Sequence, residues 1–130
     1  MATGETVKVG VIGLGRSGWG IHCRHLQNDP RFELTAVVDP LPERRAEAIE
    51  TLGVKRAYET PDELFTDPDV ELVQISTPSH THKPLALAAL ASGKHVQVEK
   101  PFAVSAAEAD EMIAAAKAAN RLLTCFQSRR

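Results

Sequence analysis

The chain predicts an α/β fold: a doubly wound, parallel, six-stranded sheet in the order 3-2-1-4-5-6, with helices on both faces in three layers. Three observations point to it. Short apolar runs alternate with helix-length segments along all 130 residues, the pattern of a parallel sheet built from crossover units. The first run, Val7-Lys8-Val9-Gly10-Val11-Ile12, passes directly into Gly13-Leu14-Gly15-Arg16-Ser17-Gly18. The second run, Leu34-Thr35-Ala36-Val37-Val38, stops on an acid, Asp39.

The elements follow in order. A helix is expected over residues 16–28, and Asp29-Pro30 breaks it. After the second strand, a helix starts near Pro42 and stops at Gly53, with Ala46, Ile49 and Leu52 on its inner side. Residues 54–58 read as a short third strand. Thr60-Pro61-Asp62-Glu63 is a helix start, with a capping threonine, proline at the first position and a glutamate that reaches back. Residues 70–76 are the fourth strand. The next helix takes residues 80–92, tolerates Pro84 in its first turn, and ends at Gly93. Residues 95–99 are the fifth strand. Ser105-Ala106-Ala107-Glu108 is a second capping box, and Ala109, Met112, Ile113 and Ala116 form the inner stripe of the helix it opens. Residues 122–126 are the sixth strand. No linker, repeat or low-complexity segment divides the chain, so residues 1–130 form one domain.

Composition narrows the class. With 43% hydrophobic residues the chain can fill a single core. Fifteen basic residues against 17 acidic, with no basic stripe, argue against a nucleic-acid partner. The longest apolar stretch, residues 85–91, is far short of the ~18 residues that suggest a membrane span. No secretory signal is visible at the start, and Cys23 and Cys125 lack metal spacing. A cytoplasmic protein with two reduced, buried thiols and no metal is the expectation.

The glycine turn carries the chemistry. Gly13 permits the tight turn out of the strand. Gly15, lacking a Cβ, lets the backbone approach a pyrophosphate, and Gly18 lets the helix pack closely on the sheet. The helix start aims unpaired N–H groups at phosphate oxygens. Asp39, twenty-one positions after Gly18, can accept from a ribose diol. Together these predict dinucleotide binding. A methyltransferase would need the third glycine one residue earlier.

Ligands of such sheets bind at the carboxyl ends of the strands. That edge should gather three segments: 13–18, Ser76-Thr77-Pro78-Ser79-His80-Thr81-His82, and Glu99-Lys100-Pro101. Ser76 and Thr77 can bond a ribose or phosphate, or Thr77-Pro78 is a plain turn with Ser79 or Thr81 as a helix cap. His80 and His82 suit structural roles as well as functional ones. Lys100 either relays a substrate proton or is a surface lysine beside Glu99. Partial burial there would ease loss of its proton.

At these residues the chain resembles the Gfo/Idh/MocA oxidoreductases, the group of glucose–fructose oxidoreductase and inositol dehydrogenase. The resemblance rests on Val9-Gly10-Val11-Ile12-Gly13-Leu14-Gly15, on Thr77-Pro78-Ser79-His80-Thr81-His82, on Gly93-Lys94-His95-Val96 and on Glu99-Lys100-Pro101, in the right order over nearly the whole chain. Ser79 stands where the family more often has asparagine. The resemblance implies an NAD(P)-binding Rossmann domain, the N-terminal part of a longer two-domain enzyme. Hydride would move between nicotinamide and a sugar, polyol or related carbohydrate. The implied cofactor is NAD, with NADP within reach because Arg44 and Arg45 follow Asp39 closely and can pair with a 2′-phosphate.

The resemblance implies Lys100 as the catalytic residue, with a cis bond to Pro101. The implied cofactor-binding set is Gly13, Leu14, Gly15, Arg16, Ser17, Gly18, Asp39, Ser76, Thr77, Pro78, His82, Glu99 and Lys100. The family's C-terminal α/β substrate domain, with its catalytic histidine, is absent from this chain. The resemblance implies that it mediates homo-oligomerisation. The surface it would cover is expected to be an apolar patch beside the strand ends. A non-catalytic dinucleotide sensor is the alternative reading.

Overall fold

The computed structural model of this chain describes residues 6–15, 23–100 and 102–126. Six parallel strands form one sheet in the order β3-β2-β1-β4-β5-β6, as expected. The elements are β1 (Val7–Ile12), α1 (Arg24–Asn28), β2 (Phe32–Val38), α2 (Pro42–Glu47), β3 (Arg56–Tyr58), α3 (Pro61–Phe65), β4 (Leu72–Ile75), α4 (His82–Ala91), β5 (His95–Glu99), α5 (Ala106–Ala119) and β6 (Leu123–Phe126). A 3₁₀ turn, Ser79–Thr81, leads into α4. Of the helix expected over 16–28, residues 16–22 lie outside the described residues. So do Arg16, Ser17, Gly18 and Pro101 as site or cis-bond predictions.

One face of the sheet is buried along β1, β2, β4 and β5, and the other is buried over β1 and β2. One face packs Ile12, Val38, Val73, Ile75, Val96 and Val98 against Leu64, Leu90 and Met112 of α3, α4 and α5. The other packs Val9, Val11 and Val37 against Leu14, Leu26 and Ala48. Each fully buried aliphatic side chain contributes about 1.5–3 kcal/mol. Strand ends are flush: Ile12 pairs with both Val38 and Ile75, and Ile75 with Val98. The residues one step beyond, Asp39, Gly13, Ser76 and Glu99, therefore stand side by side across three strand gaps, about 14 Å in all.

Local signals placed the elements. Glu63 accepts the Thr60 N–H at 3.1 Å to open α3. Ser105 accepts the Glu108 N–H at 3.2 Å, while the Glu108 carboxylate takes the N–H of Val104, not of Ser105. Gly93 ends the α4 segment at φ +89°.

Two helix faces differ from the expectation. After Glu47 the chain winds as a π-turn, Ala48–Leu52. Its wider i→i+5 spacing moves the inner face to Ala48 and the partly buried Leu52, leaving Ala46 and Ile49 exposed. On α5 the buried positions are Met112 and Ala116, flanked by Ala115 and Ala119, and Ile113 is 45% exposed. This helix covers edge strand β6, so its far flank has no sheet to meet. Nor do the described large exposed apolar residues gather at the strand ends. Leu41 and Val104 lie there, but Ile113 and Leu122 are at the opposite edge. Cys23 is buried and its thiol is pushed up to about 12 by that burial, whereas Cys125 is only half-buried. No helix among the described residues is long and apolar enough to cross a membrane.

Candidate functional site

The site begins where β1 ends. Gly13 adopts φ +94°, and a Cβ there would stand 3.0 Å from Ser76 O and from Thr77 Cγ2. Only a residue without a side chain lets the turn pass this close to the β4 loop. Three backbone bonds lock the strand ends together. The Gly13 N–H donates to Val38 O (2.8 Å), Ser76 N–H to Ile12 O (2.9 Å) and Asp39 N–H to Tyr58 O (3.0 Å).

Asp39 is the hub. It is only 2% exposed. Its Oδ2 accepts the Leu14 N–H at 2.9 Å and its Oδ1 accepts the Leu41 N–H at 3.0 Å. The carboxylate thus ties the glycine turn to the end of β2 and to the approach to α2. Arg44 Nη1 lies 3.4 Å from Oδ2 on the outer side. Among the described residues, the non-adjacent atom nearest a would-be Cβ at Gly15 is that same Arg44 nitrogen, at 4.0 Å. Nothing among the described residues crowds the Gly15 backbone against a ligand. A dinucleotide fits this donor set, with half-buried backbone at Gly15 for a phosphate and a fixed carboxylate beside it for a hydroxyl.

The β4 loop supplies the next wall. Thr81 Oγ1 donates to Pro78 O at 2.6 Å, so the short bond between the two hydroxyls has Thr77 as donor. The Thr77 oxygen is left to accept. His82 is 1% exposed, and its Nε2 bonds Thr77 O at 3.0 Å. It stands behind the loop and cannot touch a ligand in this arrangement, so its influence runs through the Thr77 backbone. Pro78 and His80 are exposed, and Ser76 is half-buried.

Glu99 and Lys100 close the row at the end of β5. Lys100 is exposed, so the described residues do not provide the partial burial expected for it. Cys125 of β6 lies close by. Its thiol is pushed up by burial and by the Glu99 carboxylate, with Lys100 opposing. The sheet thus brings Gly13, Leu14, Gly15, Asp39, Ser76, Thr77, Glu99 and Lys100 to one edge.

Sequence reasoning missed several buried polar groups, Gln74 and Lys94 among them. Gln97 donates to Gln74 Oε1 at 2.6 Å between β4 and β5, where residues 74 and 97 are direct register partners. Lys94 donates to Asp67 O (2.7 Å) and Val70 O (2.8 Å) at the opposite edge of the sheet. Burial pushes its ammonium below the ordinary lysine value. A lysine directly after a helix-ending glycine and before a strand is the only sequence signal for it.

A six-stranded doubly wound sheet with a glycine turn after β1 and a buried acid after β2 defines a dinucleotide-binding domain. The family profile described as an oxidoreductase family with an NAD-binding Rossmann fold matches residues 7–127. The chain belongs to that family, Gfo/Idh/MocA. It is 39% identical over 124 residues to the myo-inositol 2-dehydrogenase of Thermotoga maritima, covering 95% of this chain and 37% of that protein. It is 31% identical over 126 residues to an NADP(+) scyllo-inositol 2-dehydrogenase of Bacillus subtilis, covering 97% and 34%. A crystal structure of scyllo-inositol dehydrogenase from Lactobacillus casei, with bound NAD(H) and scyllo-inositol, superposes with a TM-score of 0.86 at 28% identity. It covers 93% of this chain and 36% of that one. The chain spans about a third of the length of these relatives.

Proposed function

We propose that this chain is the cofactor-binding part of an NAD(P)-dependent oxidoreductase that moves a hydride between nicotinamide and the carbinol carbon of a polyol, sugar or related carbohydrate. The observation that carries the reading is the row Asp39, Gly13, Ser76, Glu99 at one sheet edge, with Asp39 clamped to the glycine turn. The dehydrogenases among its relatives favour a catalyst over a dinucleotide sensor.

In this reading the bound nicotinamide supplies the hydride chemistry, and the protein binds, orients and moves a proton. Gly13, Leu14, Gly15, Arg16, Ser17 and Gly18 receive the pyrophosphate. Asp39 faces the adenine ribose. Ser76, Thr77 and Pro78 line the middle of the cofactor, and His82 holds Thr77 from behind. Glu99 and Lys100 stand at the nicotinamide end, where the Lys100 ammonium hands a proton to the substrate oxygen in the reducing direction and the neutral amine takes one from it in the oxidising direction.

The substrate wall, the partner base and the oligomer contacts belong to a further domain, and the relatives, about three times the length of this chain, have room for one. The whole protein works in the cytoplasm. Hydride transfer needs donor and acceptor about 3–3.5 Å apart, and Lys100 in the open cannot hold a substrate there unaided. The test is a titration and an activity assay on the 130-residue chain. It should bind NAD(H) and produce no NADH from inositols or aldoses. Failure to bind either dinucleotide would sink the cofactor reading, and turnover by the isolated chain would sink the two-domain reading.

A further inference from the structure

Two glutamines interrupt the apolar runs of neighbouring strands. Gln74 of β4 and Gln97 of β5 are direct register partners, and Gln74 is only 3% exposed. A buried amide is costly unless its donors and acceptors are paired. Two valines would join these strands without that cost. What amides add is direction, because each has a donating end and an accepting end.

One fixed point sets that direction. Gln74 Nε2 donates to Ile75 O at 3.3 Å, and a carbonyl oxygen only accepts, so the nitrogen must face it. Gln74 Oε1 then faces β5 and accepts from Gln97 Nε2 at 2.6 Å. The same Gln74 nitrogen stands 3.5 Å from Ser76 Oγ. That bond is long, but its sense is fixed. An N–H faces the hydroxyl oxygen, so the Ser76 proton turns away from Gln74. Among the described residues no acceptor takes that proton. Ser76 is half-buried and its backbone is held in place. Its N–H donates to Ile12 O at 2.9 Å, and its carbonyl lies against the Gly13 turn.

We propose that Gln74 and Gln97 are positioning residues that hold the Ser76 hydroxyl as a donor toward an acceptor oxygen of the bound dinucleotide. Gln97 fixes Gln74, Gln74 fixes Ser76, and of the three only Ser76 touches the cofactor. The inference rests on the dinucleotide-binding reading above.

Reversing the first member of this relay reverses the last. Gln97→Glu presents only acceptors, so it draws the Gln74 nitrogen to itself and turns the Gln74 oxygen toward Ser76, whose hydroxyl then donates inward. Gln97→Lys presents only donors and keeps the original sense.

The experiment is calorimetric titration of NAD⁺ against the 130-residue chain, with and without Ser76→Ala, in the wild-type, Gln97→Lys and Gln97→Glu backgrounds. Each comparison lies within one background, so the added charge cancels. Ser76→Ala should weaken NAD⁺ about three- to tenfold in wild type and in Gln97→Lys, the worth of one neutral hydrogen bond, and by less than about 1.5-fold in Gln97→Glu. An equal cost in all three backgrounds overturns the proposal. So does no cost in a wild type that binds NAD⁺, and both results leave the cofactor reading intact. No binding by wild type overturns both. The side-chain amide resonances of Gln74 give a second readout that needs no change at position 97. NAD⁺ should shift them in wild type and leave them still in Ser76→Ala. A shift that persists in Ser76→Ala, or none in wild type, overturns the relay.

Discussion

The buried carboxylate of Asp39 accepts the backbone N–H of Leu14 at 2.9 Å across 25 residues of sequence. The acid read as a ribose acceptor is thus also the clasp of the glycine turn. Asp39→Asn keeps the shape but replaces one acceptor with a donor, leaving either the Leu14 or the Leu41 N–H facing another N–H. A buried N–H left unpaired costs about 1–3 kcal/mol. Urea denaturation should show a loss of that size, together with weaker NAD(H) binding. Wild-type stability in the variant would mean that the clasp is not formed.

Gly13 and Gly53 both have positive φ, but only Gly13 is crowded. A Cβ at Gly13 meets Ser76 O and Thr77 Cγ2 at 3.0 Å, while one at Gly53 (φ +69°) meets nothing within 4 Å. Gly53→Ala should therefore lose only the backbone strain, on the order of 1–2 kcal/mol. Gly13→Ala should lose more, and should alone displace the β4 loop and weaken NAD(H). Parallel urea midpoints and cofactor titrations of the two variants separate strain from crowding.

Lys100 follows Glu99 at the open end of the site. In the intact enzyme, Lys100→Ala should lower hydride-transfer turnover by about 10²–10⁴, the usual worth of a positioned proton-transfer group. The NAD dissociation constant should hardly change. Single-turnover rates are the readout, and wild-type rates would leave Lys100 as a surface residue beside Glu99.

At the opposite edge, His95 Nδ1 accepts the Leu122 N–H at 2.9 Å, which requires an unprotonated Nδ1. Burial, and then Arg121, push the imidazole below its ordinary 6.5, with Glu71 opposing. The unfolded chain therefore takes up a proton at a pH where the folded chain still resists it. Stability from this group is complete well above 6.5 and declines as pH falls below that value. His95→Asn offers a carbonyl oxygen to the same N–H and removes the titration. Urea midpoints from pH 7.5 to 5 should fall less steeply in that variant than in wild type.

The sequence alone determined the strand order and the sheet edge at which the motif residues meet. These depend on local signals: apolar runs bounded by glycine and proline, capping residues, and an acid at a fixed distance from a glycine turn. The fifth strand was legible to the residue, His95–Glu99, because Gly93 and Pro101 bracket it.

Tertiary structure decided what each polar group does. That Asp39 clasps Leu14, that His82 is sealed behind Thr77, and that Lys94 holds Asp67 and Val70 depend on contacts from 5 to 27 residues apart. Periodicity carries no information about such pairs. It also failed at Ile49 and Ile113, where a π-turn and a sheet edge reset which flank of the helix meets the core. The distinction between Arg44 and Arg45 is of the same kind. The two are neighbours in sequence, but Arg45 is spent on backbone carbonyls and Arg44 lies over the acid, because successive residues of a helix point in different directions.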